Sequence, residues 1–190
     1  MNKDNQQGTP TEAEIAWLAG IIEGEGSVTL SCHIRKKGAK PKVGVEIKLY
    51  NTDGGIIKKA VDVVERLGLG YYLNERPQKP MQMKGGQNYG AQDPMLSLTV
   101  KNLGDAYRLG KILRPWVFGD KGNRLDLMIQ YLARRLKKIH DNGGNFRNVP
   151  LDEGDLRLVV EFYRKHVKRP GHNRKFVEGL LNEHEQPAAI

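Results

Sequence analysis

Two acids, Glu23 and Glu25, stand among glycines in the run Gly20-Ile21-Ile22-Glu23-Gly24-Glu25-Gly26. Upstream, Ile15, Leu18, Ile21 and Ile22 recur at helical spacing and predict a helix with one apolar stripe. Ala13, Ala16, Gly20 and Gly24 are spaced three, four and four residues apart, so they form a second stripe nearly free of side-chain bulk. Glycine inside a helix costs up to ~1 kcal/mol relative to alanine, and the usual gain is close approach of another helix. Glu25 falls at the carbonyl end of this helix, where a cation is favoured. Two such helices touching along their glycines would bring two carboxylates together, a hard-oxygen site suited to Mg²⁺. The plainer alternative is a core helix with a solvated acidic end.

The elements around this stretch can be read in order. Met1–Pro10 is a polar, flexible tail, and Thr11 is placed to cap the helix, with Glu12 and Glu14 in its first turn. After Gly26 the period changes to two. Val28, Leu30, Cys32 and Ile34 take one side of a strand, while Ser27, Thr29, Ser31, His33 and Arg35 take the other. A basic turn with Lys37 and Lys40 leads to a second strand, with Val43, Val45, Ile47 and Leu49 inward and Lys42, Glu46, Lys48 and Tyr50 outward.

Asn51-Thr52-Asp53 offers capping chemistry before an amphipathic helix over Ile56–Leu67. Tyr71–Arg76 is a third strand, presenting Tyr72, Asn74 and Arg76, with Lys79 just beyond it. Met81–Gln92 is rich in Gly and Gln and predicts a long loop. Met95–Lys101 alternates again, with Ser97, Thr99 and Lys101 outward. Helices are expected over Asp105–Leu113, Leu125–Ile139, Asp152–Lys168 and Arg174–Leu181.

Together these predict an α+β chain: four antiparallel strands with helices on one face. The other face is polar and mostly cationic, able to meet phosphates and base edges, and a two-stranded ribbon fits the major groove. A solvated sheet face is the alternative. The net charge of +9 favours an anionic partner, with nucleic acid ahead of a membrane surface. Cys32 is the only cysteine, which excludes an internal disulfide and a cysteine zinc cluster. There is no apolar run of membrane-spanning length and no apolar signal core, so an intracellular setting (cytoplasm, nucleoid or organelle matrix) without membrane attachment is expected.

Leu18-Ala19-Gly20-Ile21-Ile22-Glu23-Gly24-Glu25-Gly26 closely resembles the nine-residue signature of the LAGLIDADG homing endonucleases, and Trp17 and Ser27-Val28 fit its usual flanks. The expected element order to about Leu136 is similar to that family's αββαββα core, with its four-stranded saddle sheet. The resemblance implies an endonuclease core over residues 11–141, with 142–190 a C-terminal helical extension. It also implies that Glu25 binds Mg²⁺ (Mn²⁺ or Ca²⁺ as substitutes), with the Gly24 carbonyl as a second ligand, and that Glu23 is structural. Asp53 resembles the family position that orients the water, although a helix N-cap explains an aspartate there equally well. Lys121 resembles the basic residue near the scissile phosphate; the match needs one inserted residue, so Lys111 and Arg124 stay open.

No second copy of the motif is present: the echo at Phe176–Glu185 leaves no room for strands after it. One motif implies a homodimer packed along Ala16, Leu18, Ala19, Gly20, Glu23 and Gly24, reading a target with mirrored halves. The expectation is a site-specific, metal-dependent double-strand DNA homing endonuclease, encoded in an intron or intein. The alternative is a non-cleaving relative, an RNA maturase acting on intron RNA or a DNA-binding regulator. The basic pairs Arg134-Arg135 and Lys137-Lys138 leave room for an RNA role. His140, His166 and His172 raise a histidine-metal nuclease, but lack the local strand-turn-helix context for one.

Overall fold

The computed structural model describes residues 8–33, 41–77, 93–145, 149–166 and 178–179. The expected loop at 81–92, the strand end at Ile34–Arg35, most of the last expected helix, and the candidate residues Arg35, Lys37, Lys40 and Lys79 lie outside them. So does the side chain of His33.

The elements run α1 (Glu12–Glu25), β1 (Gly26–His33), β2 (Lys42–Asn51), α2 (Gly54–Arg66), β3 (Tyr72–Arg76), β4 (Met95–Val100), α3 (Leu103–Leu113), a 3-10 turn (Arg114–Trp116), α4 (Gly119–Asp141) and α5 (Glu153–His166). The strands form one antiparallel sheet in the order β1-β2-β4-β3. Val28, Leu30, Val45, Ile47, Leu49, Leu98 and Val100 point to the helices and join one buried cluster with residues of all five. That is the predicted α+β layer, with helices on one sheet face.

Local chemistry fixes the helix starts. Thr11 and Glu14 form a capping box: the Thr11 hydroxyl accepts from the Glu14 N–H at 3.3 Å and the Glu14 carboxylate from the Thr11 N–H at 2.8 Å. Asp53 caps α2, accepting from the N–H of Gly55 at 2.7 Å and of Ile56 at 3.4 Å. Asn102 caps α3, so that helix begins at Leu103, ahead of the expected Asp105. Arg66, at the end of α2, joins Glu14 of α1 and Asp62. Its hydrogen bond holds the Glu14 carboxyl down at about 2.

One element departs from its expected range in a way that matters. α4 starts at Gly119, well before Leu125. The stretch Gly119–Arg124 carries two glycines and no apolar residue, so no periodicity announces a helix there; Gly119 takes φ +55°, a turn conformation suited to glycine. The early start puts Lys121 in the first turn of α4. Leu156, Val159, Val160 and Phe162 of α5 lie in the common core.

α5 is held to α4 by a charged latch. Asp155 is fully buried and accepts from Arg135 at 3.2 Å and Lys138 at 2.8 Å. Arg135, itself 4 % exposed, also donates to the carbonyls of Val149 at 2.9 Å and Pro150 at 2.7 Å. Lys138 and Arg134 pair with Asp152. Three of the cations that left room for RNA in the sequence are therefore engaged with acids of the same chain.

Candidate active site and nucleic-acid interface

The site is built where α1 runs into β1. Leu18, Ala19 and Ile22 turn inward, leaving Ala13, Gly20, Glu23, Gly24 and Glu25 exposed and Ala16 half-buried. Leu18 and Ala19 were expected at a partner interface. They are 1 % and 0 % exposed and have no surface left for a partner, because the apolar stripe of α1 faces its own core. The small-residue stripe is the outward one. A Cβ added at Gly20 or Gly24 would meet nothing within 4 Å, so nothing inside the described chain calls for glycine at either place. Gly26 is different: a Cβ there would lie 2.7 Å from the Ile22 carbonyl oxygen and 2.9 Å from that of Lys48. Only glycine lets the chain pass from helix to strand at that corner, and the corner sets where Glu25 stands.

Lys121 reaches the same corner from α4. Its Nζ donates to the Ile22 carbonyl at 2.9 Å and also to that of Glu23, capping the negative end of α1. Burial lowers the pKa of this ammonium, and Arg124 adds to the shift, while Glu23, Glu25 and Asp120 act against it. Lys111 and Arg124, the alternatives, are engaged elsewhere: Lys111 lies 5.6 Å from the Tyr107 ring, and Arg124 pairs with Asp120. Asp53 is at this end of the sheet too, since Gly26 pairs with Leu49 and Asp53 follows the end of β2. Its Oδ1 caps α2, and the Asn51 side chain accepts from its N–H at 2.8 Å. Among the described residues no three His, Cys, Asp or Glu side chains come together as a metal cage. One chain offers Glu25 and the Gly24 carbonyl as neighbouring oxygen donors; a second copy of each would supply the oxygen-rich set that a Mg²⁺ ion needs.

The polar sheet face follows the pair register. Ser27 pairs with Lys48, Lys48 with Thr99 and Thr99 with Tyr72, making one row across four strands; Tyr50, Ser97 and Asn74 make the next. Lys42 and Lys101 are exposed, as are Tyr72, Asn74 and Arg76, while Ser27, Thr29, Ser31, Glu46, Lys48 and Tyr50 are half-buried. Lys48 Nζ lies 4.8 Å from the Tyr50 ring and Lys101 Nζ 3.7 Å from that of Tyr72. Ser97 and Thr99, expected as contacts, are only 3 % and 7 % exposed. They sit on a central strand flanked by longer side chains, and Ser97 turns its hydroxyl to the Asn74 carbonyl at 3.4 Å. Trp116 and Phe118 beside α4 are exposed aromatics that carry no signal in the sequence beyond being aromatic in a stretch without periodicity.

Compared with solved structures, the backbone superposes over 93 % of this chain and 97 % of the homing endonuclease I-CvuI, in a complex with DNA and Mg²⁺, at a TM-score of 0.58 and 16 % identity. This is the LAGLIDADG homing-endonuclease fold. The archaeal intron-encoded homing endonuclease I-Vdi141I, solved with DNA, matches over 90 % of this chain and 96 % of its own, at a TM-score of 0.58 and 14 % identity. The LAGLIDADG homing endonuclease I-GzeII, with its DNA target, matches over 93 % of this chain but 52 % of its own, at a TM-score of 0.57 and 11 % identity. No sequence-family model and no curated protein matches the chain. The likeness to this fold is thus carried by the backbone, with the α1 signature as its trace in sequence.

Proposed function

We propose that this chain is one half of a Mg²⁺-dependent, site-specific DNA endonuclease that works as a homodimer on a pseudo-palindromic target. The observation that carries the reading is the exposed stripe of α1, whose two glycines answer to nothing in the described chain and which ends on an exposed carboxylate. A partner helix packed on that stripe explains the glycines and pairs Glu25 with its copy. The coverage supports this: the chain spans nearly all of I-CvuI and about half of I-GzeII.

In this reading Glu25 and the Gly24 carbonyl hold Mg²⁺, which when bound lowers the pKa of a water and offsets charge on the scissile phosphate. Lys121 commits two of its three donors to the carbonyls of Ile22 and Glu23, and the third is left for a phosphate oxygen or the water beside it. Asp53 positions water through the oxygen not used in capping α2. The sheet face lies along the major groove. β2, ten residues long, spans roughly 33 Å, which at ~3.4 Å per base pair is about ten base pairs per protomer.

The test is to incubate the protein with random duplex DNA and Mg²⁺ and sequence the cut ends. A single mirrored target is expected, and Glu25→Gln should lose at least ~100-fold in cutting while binding survives. No cutting by the parent protein, with binding intact, would turn the reading toward a DNA-binding regulator. Gly20→Leu should cost dimer and cleavage together, seen as a monomer in sedimentation, with the fold preserved because a Cβ at Gly20 meets nothing within 4 Å.

A further inference from the structure

α5 ends on a histidine that the proposed reaction does not use. His166 is 8 % exposed, its ring packs edge-on to Phe162 at 5.4 Å, and its Nδ1 lies 2.6 Å from Oδ1 of Asp120 in the first turn of α4. A carboxylate can only accept, so Nδ1 carries the proton. The other Asp120 oxygen accepts from Arg124 at 2.9 Å, and Arg124 Nη2 donates to the His166 carbonyl at 3.2 Å. The three residues close a ring of hydrogen bonds between the end of α5 and the start of α4. The residue after Asp120 is Lys121, whose ammonium caps α1 beside Glu25.

We infer that His166 is a positioning residue: through Asp120 it fixes the first turn of α4 and so holds Lys121 at the carbonyl end of α1. This rests on the reading of Lys121 as a site residue. The need for such a tie is visible in the local sequence. α4 starts with no side-chain cap, and its first turn carries Gly119 and Gly122, which add backbone freedom. Helix ends open more readily than centres, and a lysine in a first turn is placed only as well as that turn is held. The charges facing Lys121 are Glu23 and Glu25 from α1 and Asp120 and Arg124 from α4; two of these four belong to the ring that His166 closes. α5 thus acts on the chemistry through the first turn of α4.

The test compares His166→Leu, which keeps bulk and removes the donor, with His166→Asn, whose amide puts an N–H where Nδ1–H stood. The first readout is acetylation of Lys121 at fixed pH, followed by mass spectrometry, with the exposed Lys42 as internal reference. His166→Leu should speed Lys121 labelling about tenfold, as expected for losing one hydrogen bond to a charged group; His166→Asn should stay near the parent rate, and Lys42 should not change. The second readout is cleavage: His166→Leu should lower the single-turnover rate by a similar factor with target affinity in Ca²⁺ unaltered, and His166→Asn should recover most of it. Tyr163→Phe, on the same helix but outside the ring, should leave Lys121 labelling alone. Unchanged Lys121 labelling in His166→Leu overturns the inference whether or not the protein cuts DNA. Faster labelling in a protein that never cuts keeps the positioning role and rejects the endonuclease reading. If leucine prevents folding, His166→Met removes the donor on an unbranched side chain and leaves the charges around Lys121 unchanged: faster labelling supports the role, and parent-like labelling overturns it.

Discussion

Two regions of this molecule are rich in basic residues, and they differ in what the cations meet. On the sheet face, Lys42, Lys48 and Lys101 pair with no acid among the described residues; two of them lie against tyrosine rings. On α4, Arg134, Arg135 and Lys138 are engaged by Asp152 and Asp155. A linear sequence shows both as basic clusters. The difference lies in two aspartates at the start of α5, distant in sequence from the cations they neutralise. Net charge therefore does not locate a nucleic-acid surface; what locates it is cation charge left over once internal partners are counted. Here the sheet lysines are left without an internal acid among the described residues, whereas three of the four cations in the basic pairs of α4 are engaged.

Substitutions can break this contrast. The largest effect is expected at the latch: Asp155→Ala leaves Arg135 buried without its carboxylate and should cost about 3–5 kcal/mol in denaturant unfolding, with DNA affinity of the folded fraction unchanged. On the sheet the reverse is expected. Lys48→Ala should leave stability within ~0.5 kcal/mol but reduce the slope of log affinity against log salt by about 0.9 for each phosphate that the lysine neutralises. A fall in stability without a change in salt slope would place the DNA surface elsewhere.

The smallest effect is a pH dependence confined to the latch. Burial pushes the Asp152 carboxyl up, but hydrogen bonds from Lys138 and the Asp155 N–H outweigh it and hold it at about 2, below its ordinary 3.8. A depressed carboxyl stabilises the fold above its unfolded pKa. That contribution should be present above pH 3.8 and be lost as pH falls through about 2, and Asp152→Asn should flatten this part of a stability titration.

The parts of the structure that follow one strong period were legible in sequence. α2, β2 and β4 lie within two residues of their expected ranges, and Glu25 falls at the helix end where spacing put it. What stayed hidden depends on partners far along the chain. Spacing gave α1 two candidate faces, and only the packing of Leu18 and Ala19 shows which one looks out. Ser97 and Thr99 alternate correctly, but a period of two says nothing about the height of neighbouring side chains. Lys121 entered by resemblance alone, because the first turn of α4 has a sequence that reads as a loop. His166 looked like one of several stray histidines until Asp120, 46 residues earlier, came beside it.

One contact made by α5 reaches beyond the site. β1 is an outer strand of the sheet, and the Cys32 N–H points away from β2 to donate to the Tyr163 hydroxyl at 3.1 Å. An outer strand with unmet amides is a template for pairing with other chains. α5 therefore acts as an edge guard: a chain cut before it would expose both an apolar groove and an open strand, and self-association into larger aggregates would compete with the proposed two-fold pairing of α1.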